Sequence, residues 1–258
     1  MNYYSMQQDL LTAFTLYFEL VHADSDELRA QVYRLRHQVY VVETGFEHES
    51  DCKHQLDAEG NLVAWEEDAF DTRSDHYLVL HRRTGIHAGT VRLILPAPGA
   101  PAAPFPIELH CALDEPVQDP TLRNHLGEIS RLAVSKVFKR RLGEAESVAG
   151  VASDISLYFD HDERRILPHI SLGLFAAVMR MAYDHGISHC YAVMEPSLVR
   201  LLGRFGVVFR RIGPNIEYHG LRMPCITSAD ETLPSIQVVA PQVWDLITNR
   251  GELINKPH

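Results

Sequence analysis

The central stretch of this sequence reads Gly127-Glu128-Ile129-Ser130-Arg131-Leu132-Ala133-Val134. Its apolar end is typical of a buried strand in a mixed sheet. A carboxylate, a hydroxyl and a guanidinium stand at the start of that strand, and such groups are costly to bury unless they are paired or used. In a regular strand Glu128 and Ser130 share one face and Arg131 points to the other. A structural ion pair and a reactive site both fit this pattern.

The composition is that of an ordinary globular protein. The chain has 258 residues, of which 46% are hydrophobic and 22% are charged. This length and the element pattern predict a single domain over residues 1–258, with a core of about 10–228 and a C-terminal extension at 229–258. The formal net charge of −10 disfavours a nucleic-acid partner.

The cysteines and histidines give no metal or disulfide signature. Cys52, Cys111, Cys190 and Cys225 are scattered without a Cys-x-x-Cys pair, and no His-Glu-x-x-His motif occurs. We therefore predict no metal site, and reduced thiols in a cytoplasmic protein. No signal peptide and no apolar run of membrane-spanning length is found, so no transmembrane segment is expected.

The order of periodic segments predicts a layered α/β domain with a mixed sheet. We expect a strand at 14–21, a helix capped by Asp24 that ends before Gly45, and a loop at 47–63. A hairpin follows at 77–81 and 87–95, then the central strand and a long helix at 167–183. The pattern ends with strands at 188–194, 207–212, 220–227 and 235–240, a short helix after Pro196, and another at 243–247.

Common catalytic signatures are absent. The chain has no Gly-x-Ser-x-Gly, P-loop or Gly-x-Gly-x-x-Gly motif. What remains is a set of polar residues at positions where strands and helices are usually apolar: Arg36, Glu66, Asp68, Asp71, Arg92, Glu128, Ser130 and Arg131.

Four short motifs carry a resemblance to a known family. They are Tyr33-Arg34-Leu35-Arg36-His37-Gln38-Val39-Tyr40 with Phe46 after it, Glu66-x-Asp68-x-x-Asp71, Thr90-Val91-Arg92 and Glu128-Ile129-Ser130-Arg131. In type and order they resemble the acyl-homoserine-lactone (autoinducer) synthases, over roughly residues 10–215. The likeness is closest to bacterial long-chain N-acyl amino acid synthases, including those associated with PEP-CTERM/exosortase protein sorting. The implied fold is that of the GCN5-related N-acyltransferases (GNAT), a mixed twisted central sheet flanked by helices.

The resemblance implies an enzyme that forms an amide. A long-chain acyl group would pass from acyl carrier protein to the α-amine of an amino acid. Glu128 would act as the base, directly or through water, together with Ser130 and Arg131, and a backbone N–H near Leu132 would serve the oxyanion. An ion pair of Glu128 with Arg36 or Arg92 is the structural alternative.

The same resemblance implies a substrate-binding set. Asp68 and Asp71 would hold the ammonium group of the acceptor. The arginines would fix those acids or take a substrate carboxylate, and aromatic residues would cover the site or belong to the core. The full implied set is Arg36, Tyr40, Phe46, Glu66, Asp68, Asp71 and Arg92.

The donor is expected to be an acyl-phosphopantetheine, with no tightly bound cofactor. The glycine-rich loop of acetyl-CoA enzymes is absent after Val134, and a basic run with Lys136, Lys139, Arg140 and Arg141 stands there instead. Since acyl carrier proteins are acidic, this run is the predicted carrier-protein contact, with acyl-CoA as the alternative donor. Two other functions stay open: a lactone synthase that uses S-adenosylmethionine, and a non-catalytic module that binds acyl groups or carrier protein.

The acyl chain needs an apolar slot. We predict it where the central strand separates from the strand at 188–194, lined by Phe175, Val178, Met179, Leu198, Leu202 and Phe205.

Overall fold

A computed structural model describes residues 9–57, 59–114, 116–139, 166, 169–217 and 220–254, apart from the side chain of Lys139. The strands in chain order are β1 (Phe18–His22), β2 (Lys53–Leu56), β3 (Leu62–Trp65), β4 (Ser74–His81), β5 (Ile86–Ile94), β6 (Leu126–Val134), β7 (His189–Met194), β8 (Arg210–Arg211), β9 (Ile216–Glu217) and β10 (Leu221–Ser228). The helices are α1 (Leu10–Tyr17), α2 (Asp26–His37), α3 (Pro106–His110), α4 (Pro120–Arg123), α5 (Lys136–Lys139), α6 (Ile170–Asp184), α7 (Pro196–Gly203), α8 (Ala229–Val239) and α9 (Pro241–Thr248). A π-helical segment, Gln38–Glu43, continues α2 and is called the α2 extension below.

One twisted mixed sheet of eight strands forms the centre of the molecule. Its order is β1-β4-β5-β6-β7-β10-β8, with β9 paired to β10 and with β2 and β3 forming a separate hairpin. The pair β6–β7 is parallel, and the other paired strands of the described chain are antiparallel.

The parallel pair β6–β7 is joined over only part of its length. Leu126 to Ile129 pair with His189 to Ala192, whereas β6 runs on to Val134 and β7 to Met194. The two strands therefore diverge beyond Ile129, and this divergence opens the space that the functional site occupies.

Helices cover both faces of the sheet. The main core lies under α6 and includes side chains from α1, α8 and α9, among them Phe14, Ile236 and Leu246. A second cluster on the other face joins α2 to β4 and β6. Because side chains alternate along a strand, Val134 belongs to the first cluster and Ala133 to the second.

The main predicted elements are confirmed. The hairpin is β4–β5, the central strand is β6, the long helix is α6, and the helix after Pro196 is α7. Gly45 and Gly186, at the ends of two helical regions, adopt positive φ as expected for helix-terminating glycines. Within the described ranges, we find no helix with both the length and the apolar character that crossing a bilayer requires.

Five local predictions are wrong in part or in full. Residues 10–17 form α1 because Asp9 caps the helix by accepting from the N–H of Thr12, and Phe14 then lies one turn from Phe18 in the core. The helix α2 is capped by Ser25, not by Asp24.

The other three errors concern the loop at 47–63 and two strands predicted later in the chain. The loop contains the β2–β3 hairpin, and the strand predicted at 207–212 is reduced to Arg210–Arg211. Most of the strand predicted at 235–240 lies in α8, which is capped by Ser228, whose hydroxyl accepts from the N–H of Glu231. In each case a cap or a pairing partner overrides the local pattern.

Candidate active site

A cavity of about 630 Å³ opens where β6 and β7 diverge. Its walls come from β6, β7, α3, the α2 extension and the β9–β10 pair, so both halves of the chain contribute. Predicted site residues on its surface are Tyr40, Phe46, Asp68, Arg92, Glu128, Ser130, Arg131 and Leu132. Arg36, Glu66 and Asp71 lie directly behind these residues and contact them.

A β-bulge distorts the central strand at the site. Thr90 pairs with Ala133 and Arg92 with Ser130, so two residues of β6 stand opposite the single residue Val91. Arg131 takes a left-handed conformation with φ of +50°, which is costly for a residue with a Cβ atom.

The bulge also corrects one prediction. Ser130 accepts a hydrogen bond from Arg92 at 2.9 Å, and Arg131 contacts Asp68, which also binds Arg92. Arg131 therefore lies on the same side of the strand as Ser130, although regular alternation predicted the opposite side. The bulge is the physical reason, because the extra residue shifts the alternation by one position.

Three arginines and three acids form one buried network. Arg36 contacts Glu66 and Asp71, and the Arg36–Asp71 distance is 2.7 Å. Asp71 also binds Arg92 at 2.8 Å.

Asp68 and Arg131 complete the network. Asp68 lies 2.7 Å from Arg92 and 3.2 Å from Arg131, and Arg131 lies 3.0 Å from Glu66. The three positive and three negative formal charges of this network balance. The arginines therefore hold the carboxylates in position, which is one of the two roles that the sequence suggested.

Electrostatics keep this network ionised. Burial by itself raises the pKa of the Glu66 carboxyl, but Arg36 and Arg131 outweigh burial and hold that pKa at about 2. Burial likewise opposes ionisation of Asp71, yet Arg36 and Arg92 hold its pKa far below the usual range. His76 packs beside Asp71, and burial lowers the pKa of His76 to about 4, so its ring is neutral at pH 7.

Glu128 lies outside the network and behaves differently. Its side chain is 4% exposed, and it accepts a hydrogen bond of 3.0 Å from the backbone N–H of Ile107. Burial raises its pKa to about 7, against the hydrogen bond and Arg92, which act in the other direction. Within the described chain no ion pair joins Glu128 to Arg36 or Arg92, so that structural alternative is wrong. A carboxyl with this pKa can take a proton at neutral pH.

Helix α3 explains the position of Glu128, and the sequence reading missed it. Pro106 is the first helical residue, and the Glu108 carboxylate accepts from the N–H of Phe105. The N–H groups of a first turn have no partner within the helix, and that of Ile107 is satisfied by Glu128. Pro106 and Glu108 are the signals that would have located this helix.

Aromatic residues close the cavity beside the bulge. The Tyr40 hydroxyl donates to the carbonyl of Leu132 at 3.0 Å, and burial raises the pKa of Tyr40 to about 12, so it remains a donor. Phe46 and Phe70 line the cavity. Trp65 does not appear in its lining, and its indole N–H donates to Glu67.

The basic run is described only at its start. The N–H of Lys136 donates to the Glu43 carboxylate at 2.8 Å, and its ammonium group donates to the Glu43 carbonyl. The side chain of Lys139, together with Arg140 and Arg141, lies outside the described residues.

The predicted position of the acyl slot is wrong for most of its residues. The space beside Phe175, Val178 and Met179 measures about 20 Å³, which is room for about one water molecule. Leu202 is buried in the core, and Phe205 packs against it. The small side chains of α6 allow close packing on the sheet, and the residues that the structure describes leave no channel there. Leu198 of this set does line the large cavity.

The sequence also missed lining residues from the second half of the chain: Val193, Met194, Glu195, Ile216 and Arg222. They had no motif, because their position depends on β10 pairing beside β7. No group of three or more His, Cys, Asp or Glu side chains in the described ranges is arranged to hold a metal ion.

The chain resembles known proteins in sequence and in fold. Residues 35–146 match the sequence family described as "Acetyltransferase (GNAT) domain". No protein of curated function matches the chain significantly.

Several solved structures share the fold. TofI in a ternary complex with an inhibitor and MTA is 17% identical with a TM-score of 0.53, and the match covers 88% of this chain and 99% of TofI. BjaI, a CoA-dependent acyl-homoserine lactone synthase, is 21% identical with a TM-score of 0.53 over 91% of this chain and 88% of BjaI. FeeM, an N-acyl amino acid synthase from uncultured soil microbes, is 14% identical with a TM-score of 0.50 over 86% of this chain and 96% of FeeM. The chain therefore has the GNAT fold, and residues 35–146 are similar to the acetyltransferase (GNAT) domain family.

Proposed function

We propose that this protein is an N-acyltransferase that moves a long-chain acyl group from acyl carrier protein to the α-amine of an amino acid. One observation carries the proposal. Glu128, buried and with a pKa near 7, lines a cavity at the place where β6 leaves β7.

The reaction needs one proton acceptor and good alignment. The amine nitrogen attacks the thioester carbonyl, a C–N bond forms, the C–S bond breaks, and the thiol leaves. The proton lost by the amine goes to Glu128, directly or through water, and the departing sulfur takes a proton in turn. Holding both reactants in one cavity supplies much of the rate enhancement.

The edge of β6 suits an extended donor. Beyond Ile129 this edge is no longer paired with β7, and the bulge at Arg131 and Leu132 lies on the same stretch. An extended pantetheine arm can pair with an open strand edge through its amide groups. A backbone N–H at the bulge would then stabilise the oxyanion.

Partly exposed acids suit the acceptor amine. Asp68 and Glu47 line the cavity, with side chains 28% and 23% exposed. Either carboxylate can hold an ammonium group before it loses its proton. Asp71 is nearly fully buried between Arg36 and Arg92, so we assign it to positioning and not to direct contact.

The acyl chain is assigned to the apolar part of the same cavity. Val193, Met194 and Leu198 line it at the β7 end. Each buried methylene contributes about 0.8 kcal/mol, so a long chain adds substantial affinity. The cavity volume of about 630 Å³ is in the range of small-molecule sites.

The test is turnover with defined substrates. Purified protein is supplied with acyl-carrier-protein and acyl-CoA thioesters and a panel of amino acids, while thiol release and N-acyl products are followed by mass spectrometry. We expect an N-acyl amino acid whose formation is lost in Glu128→Gln. Lactone and methylthioadenosine formed from S-adenosylmethionine would establish the lactone synthase instead. Tight acyl binding with no turnover would establish the non-catalytic module.

The carrier-protein assignment has its own test. Charge reversal at Lys139, Arg140 and Arg141 should weaken use of a carrier-protein donor far more than use of a short pantetheine thioester, because only the former carries an acidic surface. Charge reversal at the exposed Arg200 is the matched control. Equal loss on both donors would contradict a docking role.

A further inference from the structure

We infer that Arg222 binds the carboxylate of the amine acceptor and thereby selects amino acids over simple amines. This inference rests on the proposed function and adds the residue that would recognise one half of the substrate.

The cations that line the cavity differ in how they are held. In the described chain three guanidinium groups line it, those of Arg92, Arg131 and Arg222. The first two belong to the network, in which each is held by at least two acids. Moving either of them to a substrate carboxylate would leave a buried acid, Asp71 or Glu66, with Arg36 as its remaining arginine partner, which is unfavourable.

One partner of Arg222 is of a different kind. Its Nη1 atom lies 2.7 Å from Oε1 of Glu195, and the Glu195 side chain is 56% exposed whereas that of Arg222 is 13% exposed. An ion pair with an exposed carboxylate contributes little to stability. Glu195 can therefore turn into water when another carboxylate arrives, at small cost.

A neighbouring ring holds the guanidinium of Arg222 in place. Its Cζ atom lies 5.9 Å from the centre of the Phe46 ring, which also lines the cavity. Such a contact orients the planar fork of donors before the ligand binds. A carboxylate can then accept two parallel hydrogen bonds.

The strand register places Arg222 near the reacting groups. Met223 pairs with Met194, and Ile129 with Ala192, so extending both registers puts Arg222 at the level of Leu132 in the bulge. Fully paired strands would place β10 at two spacings of about 4.8 Å each from β6, and the divergence of β6 from β7 adds the width of the cavity, so the Arg222 side chain and a bound substrate would span the opening together. An α-amino acid between them can direct its amine toward β6 and its carboxylate toward β10.

The experiment compares three acceptors: the best amino acid, its carboxamide and its decarboxylated amine. In the parent, kcat/KM for the acid should exceed that for the other two by about 10- to 100-fold, since a site built for a polar group rejects analogues that lack it. Arg222→Gln should lose most of this preference, and Arg222→Lys should keep part of it. The donor KM should not change. Arg200→Gln on the exposed surface of α7 should behave like the parent.

Several results would overturn the inference. They are a parent without preference for the acid, an equal loss on acid and amide in Arg222→Gln, or an increase in donor KM alone, which would assign Arg222 to the donor phosphate. Calorimetric titration with the amino acid and with its carboxamide tests the same selectivity without turnover. Absence of N-acyl product with every acceptor contradicts the proposed function, whereas product with an unaltered acid-to-amide ratio contradicts the Arg222 assignment alone.

Discussion

The Nη1 atom of Arg92 lies 2.8 Å from Oδ1 of Asp71, and both side chains are 1% exposed. The same oxygen also accepts from Arg36 at 2.7 Å. One acid thus joins an arginine of α2 to an arginine of β5. This contact ties the helix that covers the site to the strand beside the bulge, so the geometry around Glu128 depends on a network that does not include it.

Replacement of Glu128 by glutamine should abolish base catalysis while the fold is kept. We expect a loss in rate of about two orders of magnitude or more. In the parent, activity should increase with pH through about 7, because the carboxylate form is the base. Rates across pH 5 to 9 give both tests. A folded variant with parental turnover would remove Glu128 from the chemistry.

The same variant should be more stable than the parent at neutral pH. The unfolded carboxyl loses its proton near pH 4.5 and the folded one near 7, so the folded state binds more protons between these values. Titration of Glu128 should therefore lower the stability of the parent relative to this variant as pH rises through this window, by about 3 kcal/mol in total. Glutamine has no such titration and keeps an acceptor for Ile107. Denaturant unfolding at pH 4.5 and pH 8 measures the difference, and an unchanged slope in the variant would contradict the raised pKa.

Loss of Arg36 should destabilise the protein strongly. Arg36→Met leaves Glu66 and Asp71 buried without their shared partner, and breaking such a pair costs about 3–5 kcal/mol. Arg29→Gln on the same helix removes an exposed pair with Asp26 and a surface hydrogen bond to the carbonyl of Asp24, and it should cost less than about 1 kcal/mol. Chemical denaturation compares the two. Similar values would mean that the network adds little to stability.

His76 should make the protein sensitive to mild acid. Burial holds its pKa at about 4, with Arg36 and Arg92 acting in the same direction and Asp71 against them. The unfolded state takes up a proton near pH 6.5, so titration of His76 should lower the stability of the parent relative to a variant without this ring by about 3 kcal/mol as pH falls from 6.5 to 4. Glu128 acts in the opposite direction over part of this range, so the effect of His76 is the difference between parent and variant.

The variant His76→Phe should lack this contribution and differ from the parent in slope, while replacement of the exposed His48 by glutamine should leave the slope as in the parent. Thermal unfolding at half-unit pH steps is the measurement. A parental slope in His76→Phe would assign the acid sensitivity to other groups.

Two substitutions test whether the acyl chain binds in the large cavity or in a slot between α6 and the sheet. Leu198→Trp fills the large cavity and should move the optimum donor to shorter chains. Ala177 is a fully buried residue of α6 that faces the sheet. Ala177→Phe should instead lower stability by about 1–3 kcal/mol or more and leave the preferred chain length unchanged. A chain-length series of thioesters with both variants decides the point. A shorter optimum in Ala177→Phe would restore the slot under α6, and a flat profile in the parent would contradict the long-chain assignment.

Much of the fold could be predicted from the sequence because its signals are local. The hairpin β4–β5, the strand β6 and the helix α6 follow from periodicity over neighbouring residues. The errors lie where an end group decided the outcome, as with Asp9 at the start of α1 and Ser228 at the start of α8. Caps act through single hydrogen bonds, which a pattern of apolar residues does not register.

The sequence alone determined which residues carry the charge of the site. Arg36, Asp71, Arg92 and Glu128 stand out because charged groups in apolar segments require a partner or a task. The tertiary structure alone decided which of them pair with each other and which one stands outside that network. The bulge places Arg131 in the network, and the N–H of Ile107 in the first turn of α3 donates to Glu128. Strand β10 places Arg222 at the cavity. These outcomes depend on strand order and on burial, which are set by contacts between residues far apart in the chain, and local sequence contains no measure of either.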